Sequence, residues 1–152
     1  MGSSLAKKAW PAGLLLLAAL IALAYGLRKD NYLLNKNVRL VFLRIVKYKE
    51  YSLHRGLTYR LRFNRDDYRV TVREPRPNPS WRVVAVHPYE DSVEPETPGL
   101  ILTIHGGKLV SYQFEDKSKI LRSSVMLYFH SRDKPSLRRG IMFSESGEWR
   151  AL

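Results

Sequence analysis

Three patterns of hydrophobic and polar positions follow one another along the chain. Residues 9–27 have no charged side chain and no alternation: nineteen residues, seven leucines and one isoleucine among them, between Lys7-Lys8 and Arg28-Lys29. A helix needs roughly 20 apolar residues to cross a bilayer. Leu14, Leu15, Leu16, Leu17, Leu20, Ile21, Leu23 and Leu27 each favour insertion by about 0.3–0.6 kcal/mol, roughly 2.5–5 kcal/mol together. Pro11 falls at the expected start of this helix, where a missing N–H is harmless. Three fates stay open on pattern alone. The run is a permanent anchor, a signal peptide with Ala22-Leu23-Ala24 as its small-residue cleavage pattern, or an apolar helix buried in a soluble protein. Basic residues on both flanks leave the orientation unassigned.

From Asp30 to about Tyr51 there is no proline or glycine, and the pattern becomes helical. Leu34, Val38, Val41, Ile45 and Tyr48 recur at spacings of four and three, which places them in one packing stripe. Lys36, Arg39, Lys47 and Glu50 fall on the opposite face. Leu33, Leu40, Phe42 and Val46 widen the apolar arc and Leu43 interrupts the polar one, so the helix should be covered on more than one side. Its own sheet and neighbouring subunits could share that role, or a monomer could bury it entirely.

After Gly56 the period changes to two. Tyr59, Leu61 and Phe63 alternate with Arg60 and Arg62. Beyond Asn64-Arg65-Asp66-Asp67, the residues Tyr68, Val70 and Val72 alternate with Arg69, Thr71 and Arg73, predicting a hairpin with one apolar and one arginine-bearing face. Pro75, Pro77 and Pro79 interrupt the chain. A strand is predicted from Trp81 to Val86, then a long acidic loop from His87 to Pro98. A second hairpin follows, Leu100 to Ile104 and Leu109 to Phe114 about Gly106-Gly107. Ser124 to Phe129 and Gly140 to Phe143 complete the strands. No connection carries a crossover helix, so the fold class is α+β, a long N-terminal helix on an antiparallel sheet of roughly six to eight strands. The domain plan is a basic leader-like segment (1–12), a transmembrane segment (13–28), an amphipathic helix (29–53) and a β-domain (54–152).

Composition narrows the chemistry. With 45% hydrophobic and 11% aromatic residues the chain can form a packed core. The absence of cysteine excludes disulfides, thiolate metal sites and cysteine nucleophiles. The net charge of +12 is concentrated early: residues 28–73 hold thirteen Lys or Arg against four Asp or Glu. Acidic partners are implied, whether nucleic acid, anionic lipid or acidic protein. His54, His87, His105 and His130 lie in separate segments without metal-ligand spacing, so no metal or other cofactor is expected. His105-Gly106-Gly107 lacks an accompanying G-x-S-x-G elbow and reads as a hairpin turn. Asp66-Asp67 reads as an ordinary turn. With no P-loop or dinucleotide fingerprint, neither an enzyme nor a small-molecule substrate is expected. Arg60, Arg62, Arg69 and Arg73 should share the solvated face of the first hairpin. Tyr59, Phe63 and Tyr68 fall on the other face, whereas a stacking single-strand binder needs rings beside its charges. An acidic protein surface is therefore favoured over nucleic acid.

The order of parts resembles the GspH/FimT-type minor pseudopilins of type II secretion systems and type IV pili. Lys7-Lys8 lead into a hydrophobic helix that continues as an amphipathic one. "EYSLHRGLTYRLRFNRDDYRV" is similar to that family's helix end and first hairpin, and "RRGIMFSESGEWR" to its closing strand and glycine turn. The family's processing site has glycine, an aromatic and a fifth-position glutamate. The nearest match here is Gly13-Leu14 with Ala18 in fifth place, and no glutamate precedes Glu50. The resemblance implies a non-enzymatic filament subunit that assembles through its N-terminal helix with other pilin-like subunits. It would make a single pass through the bacterial inner membrane, hold its C-terminal domain outside the cytoplasm, and be processed and methylated at its N-terminus. The alternatives are a membrane-anchored nucleic-acid-binding module acting in DNA uptake and an accessory subunit of another membrane complex.

Overall fold

Residues 4–74, 79–90, 93–114, 117–120, 124–144 and 146–152 are described by the computed structural model, with the backbone alone described over 4–12 and 117–120. Pro75, Pro77, part of the 87–98 loop and the side chains of the leader-like segment therefore lie outside the described residues. One helix, α1 (Ser4–Arg55), is followed by strands β1 (Thr58–Phe63), β2 (Asp67–Arg73), β3 (Trp81–Pro88), β4 (Val93–Pro95) and β5 (Leu100–His105). Strands β6 (Lys108–Phe114), β7 (Lys117–Ile120), β8 (Val125–Ser131), β9 (Arg138–Phe143) and β10 (Trp149–Ala151) complete the chain. The fold is α+β. It divides into two compact units, Met1–Leu33 and Leu34–Leu152.

In the first unit, α1 already includes residues 4–12. Pro11 is thus inside the helix rather than at its start, where it removes one backbone hydrogen bond. Residues 13–25 are all exposed.

In the second unit, α1 ends where Gly56 takes a φ of +62°, a left-handed turn that closes a helix without a Cβ clash. His54 and Arg55 occupy the last turn, where positive charge suits the carbonyl end. The strands form two antiparallel sheets rather than the single one expected. Sheet A has the order β3-β2-β1-β5-β6-β7 and sheet B the order β10-β9-β8-β4. Ten strands among the described residues exceed the expected six to eight. The additions are β4, inside the stretch read as a loop, together with β7 and β10. Glu94 and Pro95 disguise β4, yet it pairs with β8 from Val93↔Ser131 to Pro95↔Phe129.

One core joins these parts. Leu34, Val38, Val41 and Ile45 are buried in the same cluster as Tyr59, Leu61 and Phe63 of β1, Tyr68, Val70 and Val72 of β2, and Leu100, Leu102 and Ile104 of β5. Sheet B contributes Val125, Leu127, Phe129, Ile141 and Phe143. Phe63 meets Phe129 edge-on at 6.4 Å, so aromatic packing bridges the two sheets. Tyr48 is only half buried. Its ring lies 5.6 Å from that of Tyr59, and its hydroxyl lies 3.0 Å from His87 Nε2.

Polar contacts fix the helix in register. Asn37 Nδ2 donates to the Glu90 carbonyl at 2.9 Å, and Lys49 Nζ to the Gly147 carbonyl at 2.6 Å. The Gly107 N–H, in the β5–β6 turn, donates to buried Ser52 at 3.4 Å. Gly106 and Gly107 both have positive φ (57° and 74°), as a two-residue hairpin turn requires.

Ile45 is wholly buried while Leu43, two residues away, is 53% exposed. Ile45→Ala is expected to cost about 2–5 kcal/mol, and Leu43→Ala to stay within about 0.5 kcal/mol. Urea unfolding of the two variants in detergent micelles checks the difference.

Candidate functional site

The arginine-bearing face forms as alternation requires. Arg62 stands directly opposite Arg69 in the β1–β2 ladder, and Arg60 opposite Thr71. Arg62, Arg69 and Arg73 are exposed. Like charges in facing positions repel, and among the described residues one carboxylate relieves the pair: Asp67 lies 3.9 Å from Arg69. Arg60 departs from the expectation of a fully solvated row. Its guanidinium carbon lies 3.9 Å above the Trp81 ring, and its buried Nε has no hydrogen-bond partner. Burial, with Arg73 nearby, lowers its pKa. Trp81 faces Arg73 across the β2–β3 ladder, so one aromatic ring does share the arginine face. It belongs to a third strand whose register could not be read from the hairpin alone.

A second cluster joins the sheets. Glu94 of β4 accepts from Arg65 Nε at 2.9 Å, in the β1–β2 turn, and lies 3.1 Å from His130 Nε2 of β8. Arg132 Nε is 3.4 Å from the same carboxylate and also bonds Asp66. The Arg65 hydrogen bond, supported by His130 and Arg132, holds the Glu94 carboxyl below the usual carboxylate range, against the opposing effect of burial. Sequence reading missed this cluster because its members come from three separate segments, the β1–β2 turn, β4 and the end of β8.

The histidines have separate partners: Glu50 for His54, Tyr48 for His87, Thr58 for His105 and Glu94 for His130. Among the described residues no group of three His, Asp or Glu is placed to hold a metal ion.

Two apolar surfaces stand out beside these clusters among the described residues. An open groove of about 610 Å³ lies between α1 and the C-terminal strand, lined by Val38, Phe42, Leu43, Trp149 and Leu152 with Arg39 at its rim. The other is the helix of the first unit. Leu14, Leu15, Leu16 and Leu17 follow one another at about 100° per residue, so they point to every side. With Leu20, Ile21, Leu23 and Leu27 they are all exposed. Gly13 has open space around it and Leu14 is accessible beside it.

No protein-family model, curated protein or solved structure matches this chain.

Among the described residues no helix is long and apolar enough to cross a membrane. The charge-free stretch with described side chains, 13–27, is about 22 Å long at ~1.5 Å per residue, against a hydrocarbon core of about 30 Å. Residues 9–12, which complete the charge-free run, lie outside it.

The Glu94 cluster sets a pH response. A carboxylate with a depressed folded-state pKa stabilises the fold above its unfolded value of about 4.3, and that contribution is lost as pH falls through the folded value. Glu94→Gln should therefore weaken the protein at neutral pH and flatten the decline in urea midpoint below about pH 4.3. A parallel decline in both proteins would assign the acid response to other carboxylates.

Proposed function

We propose that the chain is a structural subunit of a secretion or pilus-like filament, of the minor pseudopilin kind, held in a membrane by its N-terminal helix. One observation carries this reading: residues 14–25 are exposed on every side of the same helix whose residues 34–45 enter the core of a β-domain. Leucines on all faces of a helix need an apolar surrounding, either lipid or the helices of other subunits. The stripe Leu34, Val38, Val41 and Ile45 would rest on the chain's own sheets, in a pilin-type packing of helix on β-domain. Leu43 and the groove beside it would be left for neighbours. Arg62, Arg69 and Arg73 would meet acidic surfaces of those neighbours.

The test is intact mass and N-terminal sequencing of protein recovered from native membranes. A chain beginning at Leu14 with a methylated amine is the expected result. A start near Tyr25 would remove the anchor and sink the filament reading, and an intact Met1 would leave an anchored protein without pilin processing. Leu20→Arg exchanges a favourable residue for one costing about 2.5–3.5 kcal/mol at mid-bilayer. It is expected to shift the protein from the membrane pellet to the soluble or degraded fraction.

The placement of Trp81 favours a second reading, a membrane-held module that binds nucleic acid. That reading requires affinity for oligothymidylate that falls steeply with salt. Neutralising Arg62, Arg69 and Arg73 would then reduce the salt slope by about one for each phosphate left without its arginine. A flat salt response in filter binding would remove it.

A further inference from the structure

β3 and β7 are the two outer strands of sheet A, and the far edge of β3 has no hydrogen-bonded neighbour among the described residues. Edge strands are ordinarily short, charged or covered, because their free N–H and C=O groups template pairing with another chain. β3 runs for eight residues and exposes Val83, Val84 and Val86 at 54%, 39% and 50%. Beside it, on the helix side of the sheet, Tyr48, Tyr51, Tyr59, Arg55, Arg82 and Val84 line an open pocket of about 260 Å³. Val84 is the residue left unmatched by a bulge, since Val70 pairs with Ala85 and Thr71 with Val83. The pocket has an aromatic floor and a cationic rim. Lys47 Nζ and the Arg55 guanidinium lie 5.5 and 4.9 Å from the Tyr51 ring centroid, and neither is ion-paired among the described residues.

We propose that the free edge of β3 accepts an extended acidic segment of a partner polypeptide as an added strand. One aromatic or large aliphatic side chain of that segment seats in the pocket formed by Tyr48, Tyr51 and Tyr59. Strand addition draws affinity from main-chain hydrogen bonds and specificity from pockets that receive alternate side chains. Every second guest residue faces the pocket side, and the others lie beside Trp81, Val83 and Val86. Carboxylates flanking the anchor meet Arg55 and Lys47. The positive charge of Arg62 and Arg73, exposed on the other face of the sheet and without an ion pair of their own among the described residues, steers an anionic segment toward this edge. A polynucleotide matches the charge but has no alternating amide and carbonyl groups with which to continue the ladder. The proposal does not depend on the membrane or filament reading.

The test uses the full chain in detergent micelles and a fluorescein-labelled, C-terminally amidated peptide, Asp-Val-Phe-Val-Asp-Val-Glu. Saturable binding by fluorescence anisotropy is expected, weakening about tenfold or more on Arg55→Glu and on replacing the peptide's phenylalanine with alanine. Arg55 is exposed, and an unchanged circular dichroism spectrum would confirm that the variant folds. Two further peptides are N-methylated, one on its valine amides and one on the amides of the phenylalanine and following aspartate. Alternate amides point to opposite edges of a strand, so one peptide should lose binding and the other retain it. The proposal is overturned by no saturable binding, by equal behaviour of the two methylated peptides, or by equal binding of a peptide with lysines in place of the acids. Displacement of the peptide by oligothymidylate that depends on Arg62 and Arg69 but not on Arg55 would also overturn it, and would assign the surface to nucleic acid.

Discussion

The second unit depends on one constraint: four apolar helix residues must be covered together. Leu34, Val38, Val41 and Ile45 lie along a stripe at spacings of three and four, and neither sheet could bury its own apolar face without a partner layer. The stripe supplies that layer for strands from both sheets. Tyr59, Leu61 and Phe63 of β1 become interior because this stripe needs cover, which sends Arg62 to solvent on the alternate positions. Exposure of the arginines is therefore a consequence of helix burial.

The two sheets are held by different means in different places. At their centre the contact is aromatic, with Phe63 against Phe129 and Tyr89 against the same ring at 5.6 Å. At their edge it is ionic, with Glu94 collecting Arg65, His130 and Arg132. The aromatic contacts favour edge-to-face geometry but are less strictly directional than a hydrogen-bonded ion pair, and tolerate small slips. The carboxylate fixes the β1–β2 turn relative to β4 and β8, because removing it would leave three cationic or titratable groups without their shared partner.

Much of this architecture was legible in the residues. The helical stripe, the first hairpin and the Gly106-Gly107 hairpin each contain enough repeats of one period to be read without a structure. The parts that escaped reading are too short or too distributed. β4 and β10 have three residues each, and β4 includes a proline and a glutamate; no periodicity can be defined over such a length. The division into two sheets depends on which strands pair, and β1 beside β5 is a choice made between residues some forty positions apart. Trp81 joined the arginine face for the same reason, since its side of the sheet follows from the bulge and register of β3. The pocket beside that strand is built from a helix, two neighbouring strands and the bulged residue itself, and no linear pattern announces it.

The order of sheet A also bears on how the fold can be reached. β1, β2 and β3 form one meander and β5, β6 and β7 another, each closed by local connections. Only the seam between β1 and β5 joins them, and it lies at the middle of the sheet. Loop closure is entropically expensive in proportion to the logarithm of the chain enclosed, so contacts between distant residues slow folding. The two meanders can assemble quickly and independently, while docking across the seam from Tyr59↔Ile104 to Arg62↔Ile101 carries the non-local cost. Until that docking occurs, β1 and β5 each present an open hydrogen-bonding edge, so strands that are central in the finished sheet are exposed to intermolecular pairing while the chain folds.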